Sequence, residues 1–349
     1  MNEANIAAIA RELGVSTTTV HRALHHGAGV SERTRQQVLE TAARLGYRPN
    51  RVAQGLRSRR TFSLGVVLTG ISSSYYARIL EGIEQAGAEQ GYSILLASSQ
   101  DDPAKEREHI ELLLEKRVDG FIIAPADPSA NRAYYEQLIA EEAHVVFVGR
   151  HVPGVPISSV ETDNVLGGYL AGRHLQQLGR RRVAVVTTIA PKRQYTYVSE
   201  RMQGCARALA EAGAPSPVII GEDNTEAMPL PEFAYLTTSQ YVQKGGMMDG
   251  VFALNDDLAY GVISALVDLG LRVPEDVAVV GFNDESMSAF FRPSVTTVRS
   301  PLRQLGAEAV RLLIDQVLSA SRAEPVRRIL LEPALVIRHS CSGSVREHP

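Results

Sequence analysis

Thr17, Thr18, His21 and Arg22 are the side chains in this sequence best suited to reading another molecule. They share one face at helical spacing within NIAAIARELGVSTTTVHRALHH, residues 5–26. Hydroxyl, imidazole and guanidinium groups on a helix are what base edges in a DNA major groove call for. Read without DNA, the same pattern is a helical hairpin that packs on another surface. Groups for covalent or metal chemistry lack the spacing they need. No G-x-x-x-x-G-K-[ST], H-E-x-x-H or G-x-S-x-G occurs, so neither a phosphate loop, a zinc helix nor a nucleophile elbow is signalled. Cys205 and Cys341 have no C-x-x-C partner and read as structural thiols. The expectation is a binding protein rather than an enzyme, with no cofactor and no metal.

The elements that must position that face are legible around it. Ile6, Ile9, Ala10 and Leu13 form the inner side of one helix, and Gly14 breaks it. Ser16 suits the cap of a second helix, with Val20, Ala23 and Leu24 turned inward. Two such helices joined at a glycine make a helix-turn-helix. Ser31 can cap a third helix, ERTRQQVLETAARLG, with Val38, Ala42 and Leu45 inside and Gly46 as its stop. Pro49 and Asn50 then open a linker containing VAQGLRSR. Gly55 lowers its helicity, which predicts a segment disordered alone and helical only on DNA. Residues 1–60 carry ten arginines and no lysine against four glutamates, a net +6, while the rest of the chain carries −9. A basic head on an acidic body fits a partner that is a polyanion.

From Ser63 the pattern changes to alternating strands and helices. SLGVVLT, YSILLAS, VDGFIIAP, HVVFVG, RRVAVVTT, SPVIIG, DGVFALN and DVAVVGF read as strands. Runs this apolar are buried on both faces, as in parallel sheets covered by helices. They outnumber the strands of one simple sheet, and ISSVETDN, residues 157–164, is the natural division. VTTVRS, PLRQLGAEAVRLLIDQVLSA and RRILLEPALVIRHS read as return crossings between two lobes. The expected fold is a small all-α helix-turn-helix head plus an α/β body of two doubly wound parallel-sheet lobes. Its divisions are a head at 1–48, a hinge-helix linker at 49–61, an N-terminal lobe at 62–160 plus 291–325, a C-terminal lobe at 161–290 plus 326–340, and a tail at 341–349. Ligands in open α/β sheets bind beyond the carboxyl ends of strands, so two facing sheets make a cleft. No apolar run is long enough to span a bilayer and no secretory signal is visible. The expected compartment is the cytoplasm, with no membrane partner.

Head, linker and body together resemble the LacI/GalR family of bacterial transcription regulators. The resemblance runs through ARELGVSTTTVHRAL, VSERTRQQVLETAARLGYRPN, RVAQGLRSRR, LLLEKRVDGFIIAP, TDNVLGGYLAGRHL, SERMQGCARAL, NDDLAYG, VPEDVAVVGFNDES and VTTVRSPLRQLG. It implies a homodimer with paired heads, and a body like the type I periplasmic binding proteins. The expected partner is a near-palindromic double-stranded DNA operator, contacted by Ser16, Thr17, Thr18, Thr19, His21, Arg22, Asn50, Arg51, Leu56 and Arg57. Arg22 matches a residue suited to bidentate contact with guanine. Leu56 matches a leucine that wedges into the minor groove. His21 stands where the family usually has Ser.

The resemblance also implies a small effector, a sugar or sugar derivative, held by Ser74, Tyr75, Tyr76, Arg150, Arg201, Phe233, Asn255 and Asn283. Asn255 is expected to face the ligand and Asp256 to cap its helix. Asn283 stands where many members carry Asp. A lost carboxylate beside retained cations leaves a neutral saccharide and an anionic or phosphorylated one both open, and aromatic faces that also stack on bases leave a nucleobase open as well. The implied function is a repressor whose operator affinity changes allosterically on effector binding, with inducer and co-repressor action both open. A solute-binding protein would share the body but lack the head.

Overall fold

The computed structural model describes residues 5–25, 29–47, 60–71, 74–188, 195–221, 228–319 and 325–342. The chain divides into two compact units, Met1–Thr61 and Phe62–Pro349. The first contains α1 (Ile6–Leu13), α2 (Thr17–His25) and α3 (Glu32–Arg44). Each starts on a side chain that accepts from its own first turn. Asn5 Oδ1 accepts from Ala8 N at 2.9 Å, Ser16 Oγ from Thr19 N at 3.0 Å and Ser31 Oγ from Thr34 N at 3.2 Å. Such caps satisfy amides that a helix start otherwise leaves open. Gly14 ends α1 at φ +65°, a left-handed conformation that glycine adopts without strain. Ile9, Val20 and Val38, one from each helix, meet in the core with Ala10, Ala23 and Ala42. The expected hinge helix lies outside the described residues.

The second unit holds two six-stranded sheets. In chain order its elements are β1 (Ser63–Leu68), α4 (Ser74–Glu89), β2 (Ser93–Ser98), α5 (Pro103–Glu115), β3 (Gly120–Ile123), α6 (Arg132–Ala140), β4 (Val145–Val148), β5 (Ser158–Thr162), α7 (Asn164–Gln177), β6 (Val183–Val186), α8 (Thr196–Glu211), β7 (Val218–Ile220), α9 (Leu230–Gln243), β8 (Gly250–Ala253), α10 (Asp256–Asp268), β9 (Ala278–Phe282), β10 (Thr296–Arg299), α11 (Leu302–Leu318), β11 (Arg328–Leu331) and β12 (Ala334–Val336). The first sheet runs β11-β5-β4-β3-β1-β2 and the second β12-β10-β9-β8-β6-β7. Every pair is parallel except β10 with β12. Each apolar run named from the sequence forms a strand, and β1, β3, β4, β6 and β8 are buried almost throughout.

Strand pairing moves the lobe boundaries from those expected. Residues 296–299 pair with β9 and therefore belong to the second lobe, not to a first-lobe segment beginning at 291. Residues 328–331 pair with β5 and belong to the first lobe, not to a second-lobe segment beginning at 326. The expected dividing segment is itself a strand: β5 is wholly buried between β4 and β11. The chain thus crosses between lobes after β5, after β10 and after β11.

Glycines set the helix spacing. A Cβ at Gly168 of α7 would lie 2.0 Å from the carbonyl oxygen of Arg201, and one at Gly204 of α8 would lie 2.0 Å from that of Val165. The two helices therefore pack backbone to backbone, and Arg201 sits at their crossing.

Candidate functional site

In the head, Thr17, Thr18 and Arg22 are exposed on α2, while Thr19 and His21 are partly buried. Ser16 and Thr19 hydroxyls bond to each other at 2.8 Å, and Ser16 also carries the cap. Both are tied to the start of α2, which leaves Thr17, Thr18 and Arg22 as its open groups. The Arg22 guanidinium passes close to Gly29, where a Cβ would stand 3.7 Å from Nη1. Asn50, Arg51, Leu56 and Arg57 lie outside the described residues.

In the body, the carboxyl ends of strands from both lobes meet at one seam. Arg150, after β4, stacks its guanidinium on Tyr195, 4.4 Å from the ring centroid, and on Tyr197, at 5.7 Å. It donates to Asp101 Oδ1 and to the carbonyl of Pro125, both at 3.0 Å. Arg201, on α8, lies over Phe282 at 3.5 Å and Tyr197 at 5.1 Å. Its Nε donates to Asn164 Oδ1 at 2.9 Å and its Nη1 to the carbonyl of Leu254. Only 5% of Arg201 is exposed. Burial lowers its pKa to about 10, with Tyr75, Tyr197, Asp256 and Glu200 opposing that fall. Tyr75 and Tyr76 open α4 as an edge-to-face pair with centroids 4.9 Å apart. The Tyr75 hydroxyl fills the space above Gly149, where a Cβ would come within 2.8 Å. Its pKa is raised by burial and pulled back by Arg201 and Arg150, so both cations act on the same phenol.

Contacts across the seam hold the lobes together. Tyr195 OH donates to the carbonyl of Ala126 at 2.8 Å, and Arg78 Nη1 to that of Asp284 at 3.1 Å. The Glu285 carboxylate accepts from the backbone amide of Tyr75. Buried carboxylates support the seam from behind. Glu106 accepts from Ala126 N at 2.6 Å, from Asn131 Nδ2 at 2.7 Å and from the Tyr135 hydroxyl. It thereby fixes the loop whose carbonyls receive Arg150 and Tyr195. Glu161 accepts from His151 at 2.9 Å, Ser159 at 2.7 Å and Arg328 at 3.0 Å, and Arg328 continues to Glu200 at 2.6 Å. Burial pushes the Glu161 carboxyl up, but its donors outweigh that and hold it below the usual carboxylate range.

Two expected ligand residues also have packing or capping contacts of their own. Phe233 is buried in the hydrophobic core of the second lobe, in the same cluster as Phe282. Asn255 spends its oxygen on capping α10, accepting from Leu258 N at 2.8 Å. Asn255 thus takes the capping role expected of Asp256. Asp256 is fully buried and accepts from Glu285 N and Thr297 Oγ1, each at 2.6 Å. Asn283, at φ +103°, receives the Ser300 hydroxyl on Oδ1 at 3.3 Å. Ser74 Oγ is buried with no hydrogen-bond partner among the described residues. Tyr195, Tyr197, Asp101 and Phe282 were missed. The doublet Tyr195-x-Tyr197 just ahead of Arg201 was the available signal.

Residues 5–50 match the model for bacterial regulatory proteins of the lacI family, and residues 172–341 match the periplasmic binding protein-like domain. The chain is 32% identical to the HTH-type transcriptional repressor PurR of Mannheimia succiniciproducens, over 97% of this chain and 98% of the relative. The chain belongs to the LacI family. Members of this family are DNA-binding transcription regulators with an effector-binding body, and its curated relatives are regulators rather than enzymes. Among solved structures, the lac repressor dimer bound to operator and an anti-inducer is similar at TM-score 0.80 and 25% identity, over 97% of this chain and 98% of that one. The regulator CelR in complex with cellobiose is similar at TM-score 0.71 and 28% identity, over 96% and 99%. Among the described residues, no helix is long and apolar enough to cross a membrane.

Proposed function

We propose that this LacI-family regulator is a repressor that binds a near-palindromic operator as a homodimer. Thr17, Thr18, His21 and Arg22 read the major groove. A small carbohydrate-like effector at the seam of Ser74, Tyr75, Tyr76, Arg150, Arg201 and Asn283 changes its operator affinity. The carrying observation is the rigidly capped α2 with Arg22 exposed on it, on a head of net positive charge. Near-full-length similarity to an operator-bound repressor dimer supports the dimer, and similarity to a cellobiose complex supports the ligand class. The working compartment on this reading is the cytoplasm, where the operator is.

Effector and operator are coupled through two states of the body, at about 1–3 kcal/mol, and the coupling is reciprocal. Each phosphate neutralised by an arginine releases condensed counterions, so affinity must fall steeply with salt. Fluorescence anisotropy on a duplex selected by the protein is expected to give a steep negative slope of log affinity against log salt. A flat response overturns the reading.

A further inference from the structure

The hydrogen-bond inventory of the seam is lopsided. The carboxylates of the seam already carry donors, and several of its own donors have no acceptor among the described residues. Asp101 is held by Arg150 at 3.0 Å, and Asp284 by Arg299 at 2.6 Å and Arg338 at 2.7 Å. Glu200 is held by Arg328, and the side-chain oxygens of Asn164 and Asn255 serve Arg201 and the cap of α10. Against these stand donors with no acceptor among the described residues. Nη2 of Arg201 has none, its bonds being made through Nε and Nη1, and among the described residues that guanidinium forms no ion pair, Asp256 and Glu200 acting on it only from further off. Nδ2 of Asn283 has none, since its one bond is made through Oδ1. The buried Ser74 hydroxyl also has none.

A neutral sugar hydroxyl both donates and accepts, and needs both kinds of partner. An ionised carboxylate or phosphate only accepts, and matches a planar guanidinium with two parallel bonds. A buried cation with no carboxylate in direct contact is costly, and a ligand that brings one recovers part of that cost on binding. Arg150 shows the contrast inside the same seam, because its charge already has Asp101. We infer that the effector is a sugar-sized molecule carrying an oxyanion, a carboxylate or a phosphate, seated on Arg201 with Asn283 and Ser74 as further donors. This rests on the effector reading above and narrows its ligand class.

The test is titration calorimetry of the full-length protein against two probe sets: glucose, glucuronate and glucose 6-phosphate, and galactose, galacturonate and galactose 6-phosphate. Exchanging a neutral for a charge-assisted pair of bonds is worth about tenfold in affinity, or ~1.4 kcal/mol. In at least one set an acidic member is expected to bind about tenfold or more tighter than its neutral parent, and which acid binds decides between carboxylate and phosphate. Asn283→Asp, which places a carboxylate beside the site, is expected to weaken that acid by about tenfold relative to its neutral parent. Arg201→Gln, checked for folding by circular dichroism, is expected to abolish the preference. Neutral parents binding as tightly as the acids, or all six probes failing, overturns the inference. Duplex binding measured on the same samples separates the two readings. Intact duplex binding with no acid preference sinks the oxyanion alone; absent duplex binding sinks the regulator itself.

Discussion

Asp256 ties a buried carboxyl group to the loop that carries Asn283. Its carboxylate holds Glu285 N and Thr297 Oγ1, and burial raises its pKa to about 7 despite those donors. An acid whose pKa is raised by folding binds protons more tightly in the native state. Its contribution therefore favours folding at low pH and is lost as pH rises from about 4 through 7. Asn at this position cannot ionise. The stability gap between wild type and Asp256→Asn, measured by urea unfolding, is expected to be wider at about pH 5 than at about pH 8. A gap that widens with pH would show the carboxylate to be ionised and welcome. Which of Asn255 and Asp256 caps α10 was not legible in the sequence, since both residue types cap well. The decision lies in the backbone: Asn255 adopts the extended conformation, φ −152° and ψ 170°, that a cap needs.

Helices α7 and α8 show how packing positions a ligand residue. Gly168 and Gly204 remove the side chains between them, so the backbone that carries Arg201 is set by a close helix contact. Gly168→Ala is expected to destabilise the body by about 1–3 kcal/mol through overpacking. It is also expected to blunt discrimination at Arg201, as read by calorimetry with the probes above. A change below about 0.5 kcal/mol with unaltered binding would show that the helices can part freely. Strand legibility followed the same division between local and tertiary causes. β1, β3, β4, β6, β8 and β9 announce themselves as apolar runs. β5 does not, because Ser158, Ser159, Glu161 and Thr162 look like a loop. Their burial is made tolerable by partners far along the chain, including Arg327 N on Ser158 and Arg328 on Glu161. The return strands hid for a similar reason, since pairing with β9 or β5 is a choice of topology that β10 and β11 do not encode locally.

The chain joins a basic three-helix head to a two-lobed body that is held at its seam by hydrogen bonds and by the Glu161–Arg328–Glu200 chain of charges. The head was legible almost to the residue, because caps, glycine stops and apolar stripes are local signals. The effector seam was legible only in part, because its aromatic walls and spent acceptors arise from contacts between lobes. The function proposed for the molecule depends on sequence being read by α2. Its most direct test is selection of bound fragments from randomised duplex DNA by the full-length protein, followed by sequencing. Wild type is expected to enrich a near-palindromic motif. Arg22→Ala is expected to lose about 1–3 kcal/mol of base discrimination and to fail to enrich it, whereas Arg311→Ala, exposed on α11 and paired with Glu308, is expected to enrich it as wild type does. Absence of any shared motif, or the same motif recovered undiminished with Arg22→Ala, would contradict the account.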